Sequence, residues 1–356
     1  MTSFGIPLAP LILLAATLAP GVASSAELPP QTQAQIARLM QRYDGDGPGA
    51  SLLVIRDGVP MVERGYGFAN LEDHIPADAQ TNYRLASITK QFTAASILLL
   101  MEDGKLGLDD PIKRWLPSLP PAADAITVRH LLSHTSGLID YEDVMPADQQ
   151  AQLHDADVLA LLEAQDRTYF APGSAYRYSN SGYALLALIV GKASGQDFAS
   201  FLRQRLFLPL GMTQTVAFED GRSTVINRAY GYSEIDGRWQ RTDQSTTSAV
   251  LGDGGIYSSI TDLARWDAAL YDERLLKASS LKLAFSPATP TDEPHVPYYG
   301  FGWRIDGDAL WHSGESIGFR NVILRYPKQK LTVILLSNRN DPEPYETAHA
   351  IAALFR

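Results

Sequence analysis

Apolar and polar positions change period several times along this chain, and each change predicts an element. Ala50 to Arg56 and Val59 to Phe68 are strand-like runs on either side of Asp57-Gly58, a turn pair. That pattern predicts a β-hairpin. Near the other end Tyr299 to Ile305, Ala309 to Ser313, Asn321 to Tyr326 and Leu331 to Leu336 predict further strands. Between them, Ile88 to Met101 is apolar almost all round and stops at Gly104, which predicts a buried helix. Ile36 to Tyr43 and residues 343 to 355 predict helices, and another begins in the apolar stretch Tyr183 to Val190. The proline-rich stretches Pro117 to Pro121 and Pro287 to Pro297 read as surface loops. Strands at both ends with helices between predict an α+β fold. One antiparallel sheet would be built from both chain ends and flanked by helices, with a helical lobe inserted. We expect a domain over residues 27–356, with an α/β lobe from about 27–107 and 245–356 and a helical lobe at about 108–244.

Composition narrows the setting. The 356 residues carry no cysteine, which excludes thiolate sites and disulfides. A net charge of −10 argues against nucleic acid or an anionic membrane surface as partner. The first 26 residues hold no Lys, Arg, Asp or Glu, Leu8 to Leu18 is mostly apolar, and Ser24-Ser25-Ala26 are small. This reads as a signal peptide, cut after Ala26 or after Ala23. The alternative is an uncleaved anchor, but the run is short for a span. A periplasmic or secreted protein is therefore expected, free of the membrane once the leader is removed. Oligomeric state has no reading in the sequence.

Candidate chemistry lies in three motifs in fixed order: Ser87-Ile88-Thr89-Lys90, Tyr178-Ser179-Asn180 and His312-Ser313-Gly314. A serine hydroxyl is a weak nucleophile until a base takes its proton. Residues three apart share a helix face, so Lys90 can aim its amine at Ser87. Lys90 serves as the base only if its surroundings lower its pKa; otherwise it stays charged and helps keep Tyr178 deprotonated. Both assignments stay open. Taken alone, Ser87 reads as a helix cap, Tyr178 as a packed phenol and Asn180 as another cap. S-x-x-K arises by chance roughly once in a chain this long, and a second copy stands at Ser279 to Lys282. Only the first copy is followed by the chain's sole Y-x-N and then its sole H-x-G.

The trio resembles the serine β-lactamase and penicillin-binding protein superfamily. Its Y-x-N looks like the class C β-lactamase and D-alanyl-D-alanine-peptidase branch. Leu131 to Leu138 is similar to that branch's LLxHTSGL segment, and Gly254 to Ala264 to its GGxxS…DLA segment. The resemblance implies an acyl-enzyme on Ser87, with Lys90 and Tyr178 moving protons. It implies that Asn180, His312 and Gly314 meet substrate, Gly314 by letting its backbone approach. The oxyanion hole would be the backbone N–H groups of Ser87 and Glu315. It implies no metal or organic cofactor. The expected partner is a small-molecule or peptide substrate: peptides with D-amino acids, other amides, or short esters. Histidine in place of the usual K-T-G lysine gives less permanent charge, which disfavours a substrate carboxylate there. One alternative is a penicillin-binding receptor that acylates without turnover.

Two further patterns compete. Gly314 to Gly318 fits G-x-S-x-G, which would make Ser316 the nucleophile of an α/β-hydrolase esterase. That elbow should lead into a helix, whereas Asn321 to Pro327 reads as a strand. His130 and His134 form H-x-x-x-H but lack the glutamate of a metalloprotease motif. They read as a cap and a hydrogen-bonded core histidine.

Overall fold

The computed structural model describes residues 1–2 and 28–356, so the leader expected over 1–26, Met1 and Thr2 apart, lies outside the described residues. Eight strands form the main sheet. They are β1 (Ala50–Arg56), β2 (Val59–Tyr66), β3 (Thr289–Glu293), β4 (Val296–Tyr299), β5 (Arg304–Asp306), β6 (Ala309–Ser316), β7 (Phe319–Tyr326) and β8 (Leu331–Ser337). Their order across the sheet is β3-β4-β5-β6-β7-β8-β1-β2, antiparallel throughout. Both ends of the chain thus meet where β1 pairs with β8, Leu53 opposite Ile334.

Six helices matter for the site: α1 (Pro30–Met40), α2 (Thr89–Glu102), α3 (Asn180–Ser194), α4 (Leu251–Gly254), α5 (Ile260–Ala269) and α6 (Tyr345–Ala353). Side chains alternate across a strand, so a central strand feeds two cores. Leu52, Val54, Val322, Leu324, Val333 and Leu335 pack with Ile36 of α1 and Ile351 of α6. Leu53, Ile55, Ile323, Ile334 and Leu336 face the other way, into a larger core holding α2 and α5. The α2 helix is buried on all sides from Thr89 to Leu100, its polar Lys90, Gln91, Thr93 and Ser96 included. Among the described residues, no single helix is long and apolar enough to cross a membrane.

The structure corrects three expectations. The run Tyr299 to Ile305 is not one strand: β4 ends at Tyr299 and β5 starts at Arg304. Gly302 between them adopts φ +76°, and Gly300 lies where an added Cβ would meet the Ala284 carbonyl at 2.2 Å. The stretch Pro287 to Pro297 is no simple loop, for it contains the β3–β4 hairpin. Its first strand, β3, is the edge of the sheet, where proline is tolerated. Finally, α3 starts at Asn180, ahead of Tyr183, because the Ser179 hydroxyl caps it by accepting from the Gly182 amide.

Candidate active site

Ser87 lies in a single 3-10 turn, Ala86–Ile88, that runs straight into α2. The strand before it, Tyr83–Arg84, pairs with Ile256–Ser258 and fixes the approach. Ala86 has φ +49°, a left-handed conformation that a non-glycine residue rarely holds. Such strain beside a candidate nucleophile is common at functional sites. Ser87 does not cap the helix; its Oγ lies 3.1 Å from Lys90 Nζ.

Lys90 is fully buried and has two other partners, Asn180 Oδ1 at 2.8 Å and the Asp253 carbonyl at 3.0 Å. As an ammonium it spends all three N–H donors here. As a neutral amine it gives two to the fixed acceptors, and its lone pair faces the Ser87 hydroxyl. Either state is accommodated. Nζ also lies 4.9 Å from the centre of the Tyr178 ring. Asn180 is held from its other side, since its Nδ2 donates to Glu142 Oε1 at 3.0 Å and its amide to Asp140 Oδ2 at 2.8 Å.

The third motif lies on β6, which pairs with β5 only as far as Trp311. Beyond that point β6 runs beside the turn carrying Ser87. Two residues expected to meet substrate lie here, each with protein partners of its own. Gly314 lacks a side chain because the protein's own backbone needs the space: a Cβ there would sit 2.0 Å from the Leu85 carbonyl. His312, expected to meet substrate, is fully buried. Its Nδ1 lies 2.6 Å from the Ser313 carbonyl, which can only accept, so Nδ1 carries the proton. Nε2 then accepts from the Tyr299 hydroxyl at 3.0 Å. Both ring nitrogens are engaged within the protein. Burial holds His312 neutral, well below the usual histidine range, and the nearby Arg304 guanidinium adds to the effect.

A small pocket of about 60 Å³ opens on Ser87 and is also lined by Asn180, Glu142, Asp253, Glu315 and Ser316. Burial pushes the Asp253 carboxyl up to about 8, against the pull of Lys90. Tyr141 donates to it at 3.1 Å. Asp253, Glu142 and Tyr299 were not singled out from the sequence. Asp253 directly precedes the Gly254-Gly255 pair, and Glu142 follows the Leu131–Leu138 segment closely; those two segments carried the available signal.

The rival motifs separate cleanly. Ser316 ends β6 and is followed by the two-residue turn Ile317-Gly318 and then β7. A nucleophile elbow needs a helix there, so the α/β-hydrolase reading falls. Ser279 and Lys282 of the second S-x-x-K are exposed. His130 Nδ1 accepts from the Thr127 amide in a capping box, and His134 Nδ1 accepts from the Ser179 amide. Each histidine has a structural partner of its own.

The family model described as Beta-lactamase matches residues 33–355. The chain belongs to the beta-lactamase family. Among its relatives, penicillin-binding protein 4* of Bacillus subtilis is 34% identical over 85% of this chain and 71% of its own length. A D-aminopeptidase of Gluconobacter oxydans is 28% identical over 90% of this chain, which spans only 61% of that relative. Of solved structures, the octameric penicillin-binding protein homologue from Pyrococcus abyssi aligns with a TM-score of 0.80 at 27% identity, covering 91% of this chain and 77% of that one. The D-amino acid amidase of Ochrobactrum anthropi SV3 gives 0.78 at 26% identity, covering 91% and 97%. Together these mark a serine hydrolase of the beta-lactamase family.

Proposed function

We propose that this beta-lactamase family member forms an acyl-enzyme on Ser87 and hydrolyses small amides, peptides containing D-amino acids, or short esters. The observation that carries the reading is Lys90 Nζ, buried and pinned by two acceptors 3.1 Å from the Ser87 hydroxyl. Ser87 Oγ attacks the carbonyl as its proton passes to the Lys90–Tyr178 pair. The oxyanion forms against the backbone N–H groups of Ser87 and Glu315, whose residues both line the pocket. Tyr178 returns the proton to the leaving group, and water then releases the acyl group. Asn180, clamped between Lys90 and Glu142, orients the substrate amide. His312 acts from within, holding Tyr299.

The neutral His312 offers no charge for a substrate carboxylate, which supports amide or ester substrates over β-lactams. The relatives that are D-aminopeptidase and D-amino acid amidase support D-configured substrates. The uncharged apolar leader supports export, so the enzyme would work in the periplasm or outside the cell.

The test is intact mass and peptide mapping after a fluorophosphonate and, separately, a penicillin, with turnover of a D-amino acid amide and a p-nitrophenyl ester. A fluorophosphonate adduct on Ser87, absent in Ser87→Ala, with turnover of either substrate, is expected. A lasting penicillin adduct without any turnover would instead indicate a receptor. An adduct on another residue would overturn the assignment.

A further inference from the structure

His134 remains without a task in the reading above, yet it holds Tyr178 from three directions. Its carbonyl accepts from the Arg177 amide at 3.0 Å. Its Nδ1 accepts from the Ser179 amide at 3.1 Å. Its ring lies against the Tyr178 ring, centroids 4.4 Å apart and planes tilted 35°. The residues on either side of Tyr178, and the phenol itself, are thus tied to one side chain and its backbone.

His134 is itself tightly set. It is buried, holds φ +58°, and meets the Tyr299 ring edge-on at 4.5 Å. A backbone N–H can only donate, so Nδ1 is unprotonated and the neutral ring carries its proton on Nε2. Nε2 is buried and has no hydrogen-bond partner among the described residues. A side chain kept only for packing would not leave a polar atom stranded there. The imidazole supplies what an aliphatic group lacks, a flat face and an acceptor at Nδ1.

We propose that His134 is the positioning residue of Tyr178, acting as the neutral Nε2-protonated tautomer. The inference rests on the reading of Tyr178 as a proton carrier. Protonation of Nδ1 would set an N–H against the Ser179 N–H and release that side of the loop. The surroundings oppose it. Burial lowers the His134 pKa well below the usual range, and Lys90 of α2 and Arg304 of β5 push the same way, while the neighbouring His312 of β6 is itself held neutral. The other titratable neighbours are the phenols of Tyr176, Tyr178, Tyr183 and Tyr299.

The experiment is a double-mutant cycle on p-nitrophenyl ester hydrolysis, with active sites counted by fluorophosphonate titration so that misfolded protein drops out. His134→Asn keeps an acceptor near Nδ1 and tolerates positive φ, but loses the ring. His134→Phe keeps the ring and loses the acceptor. Each is expected to lower kcat per titrated site about 10–100-fold, as a misplaced proton carrier should, with KM within about twofold. In a Tyr178→Phe background the same changes should cost under about twofold. Equal costs in both backgrounds, or an unchanged kcat, would overturn the positioning role. A Tyr178→Phe enzyme as fast as wild type would instead overturn the proton-carrier reading and this inference with it. Nitrogen-15 shifts of the His134 ring should show bare Nδ1 and protonated Nε2; the opposite tautomer would also refute the proposal.

Discussion

Replacing Gly314 with alanine tests how tightly the third motif and the nucleophile are locked together. The added Cβ would start 2.0 Å from the Leu85 carbonyl, and real Cβ contacts essentially never fall under 3.0 Å. Relief therefore needs a displacement of about 1 Å. The obstacle is backbone two residues before Ser87, so no side-chain rotation removes it. Overpacking of this kind costs about 1–3 kcal/mol, so the enzyme should still fold, with Tm lower by a few degrees. A shift of about 1 Å between reacting groups costs on the order of 100-fold in rate. The expected result is a large loss of kcat/KM on a p-nitrophenyl ester in a protein that still unfolds cooperatively. Gly191→Ala is the control, since its Cβ would find its nearest neighbour at 3.4 Å, within ordinary contact. If Gly314→Ala kept kcat/KM within about threefold of wild type, the claimed coupling between β6 and the Ser87 turn would be wrong.

Three other substitutions probe separate parts of the site. Lys90→Ala removes the only amine bonded to Ser87 Oγ among the described residues and should slow fluorophosphonate labelling about 10²–10⁴-fold; labelling at the wild-type rate would dismiss its role. Tyr299→Phe leaves the buried His312 Nε2 without its donor and should cost about 1–3 kcal/mol in urea unfolding; an unchanged midpoint would mean that bond is absent in solution. Burial, reinforced by Asp155 and opposed by Lys90, raises the Asp253 carboxyl from its ordinary 3.8 to about 8. The folded protein keeps that proton between these values while the unfolded chain has released it, so this group's contribution to stability falls as pH rises from about 4 to 8. Asp253→Asn should remove that decline, and parallel stability profiles for variant and wild type between pH 5 and 8 would contradict the buried acid.

The sheet was legible where a local rule suffices. Ala50–Arg56 and the start of the next strand at Val59 follow from strand composition around Asp57-Gly58. The break between β4 and β5 was not, because Phe301 and Trp303 carry strand-like side chains and only Gly300 and Gly302 betray the turn. The proline-rich hairpin was missed for a related reason: proline argues against a strand in general but not against an edge strand. Ser87 and Lys90 were legible because three residues along one helical face fix their distance.

The rest of the site is assembled from contacts that no spacing rule reaches. Lys90 meets Asn180 across 90 positions and Asp253 across 163. The third motif shows the limit most clearly. From its letters, His312 and Gly314 look like a polar group and a gap offered to substrate. In the fold, Leu85 fills the gap and Tyr299 takes the imidazole. A motif preserves which residues are needed, whereas packing decides whether they face the ligand or the protein. In this chain both residues face the protein. We therefore expect specificity to rest on groups that line the pocket, Glu142, Asn180 and Glu315 among them.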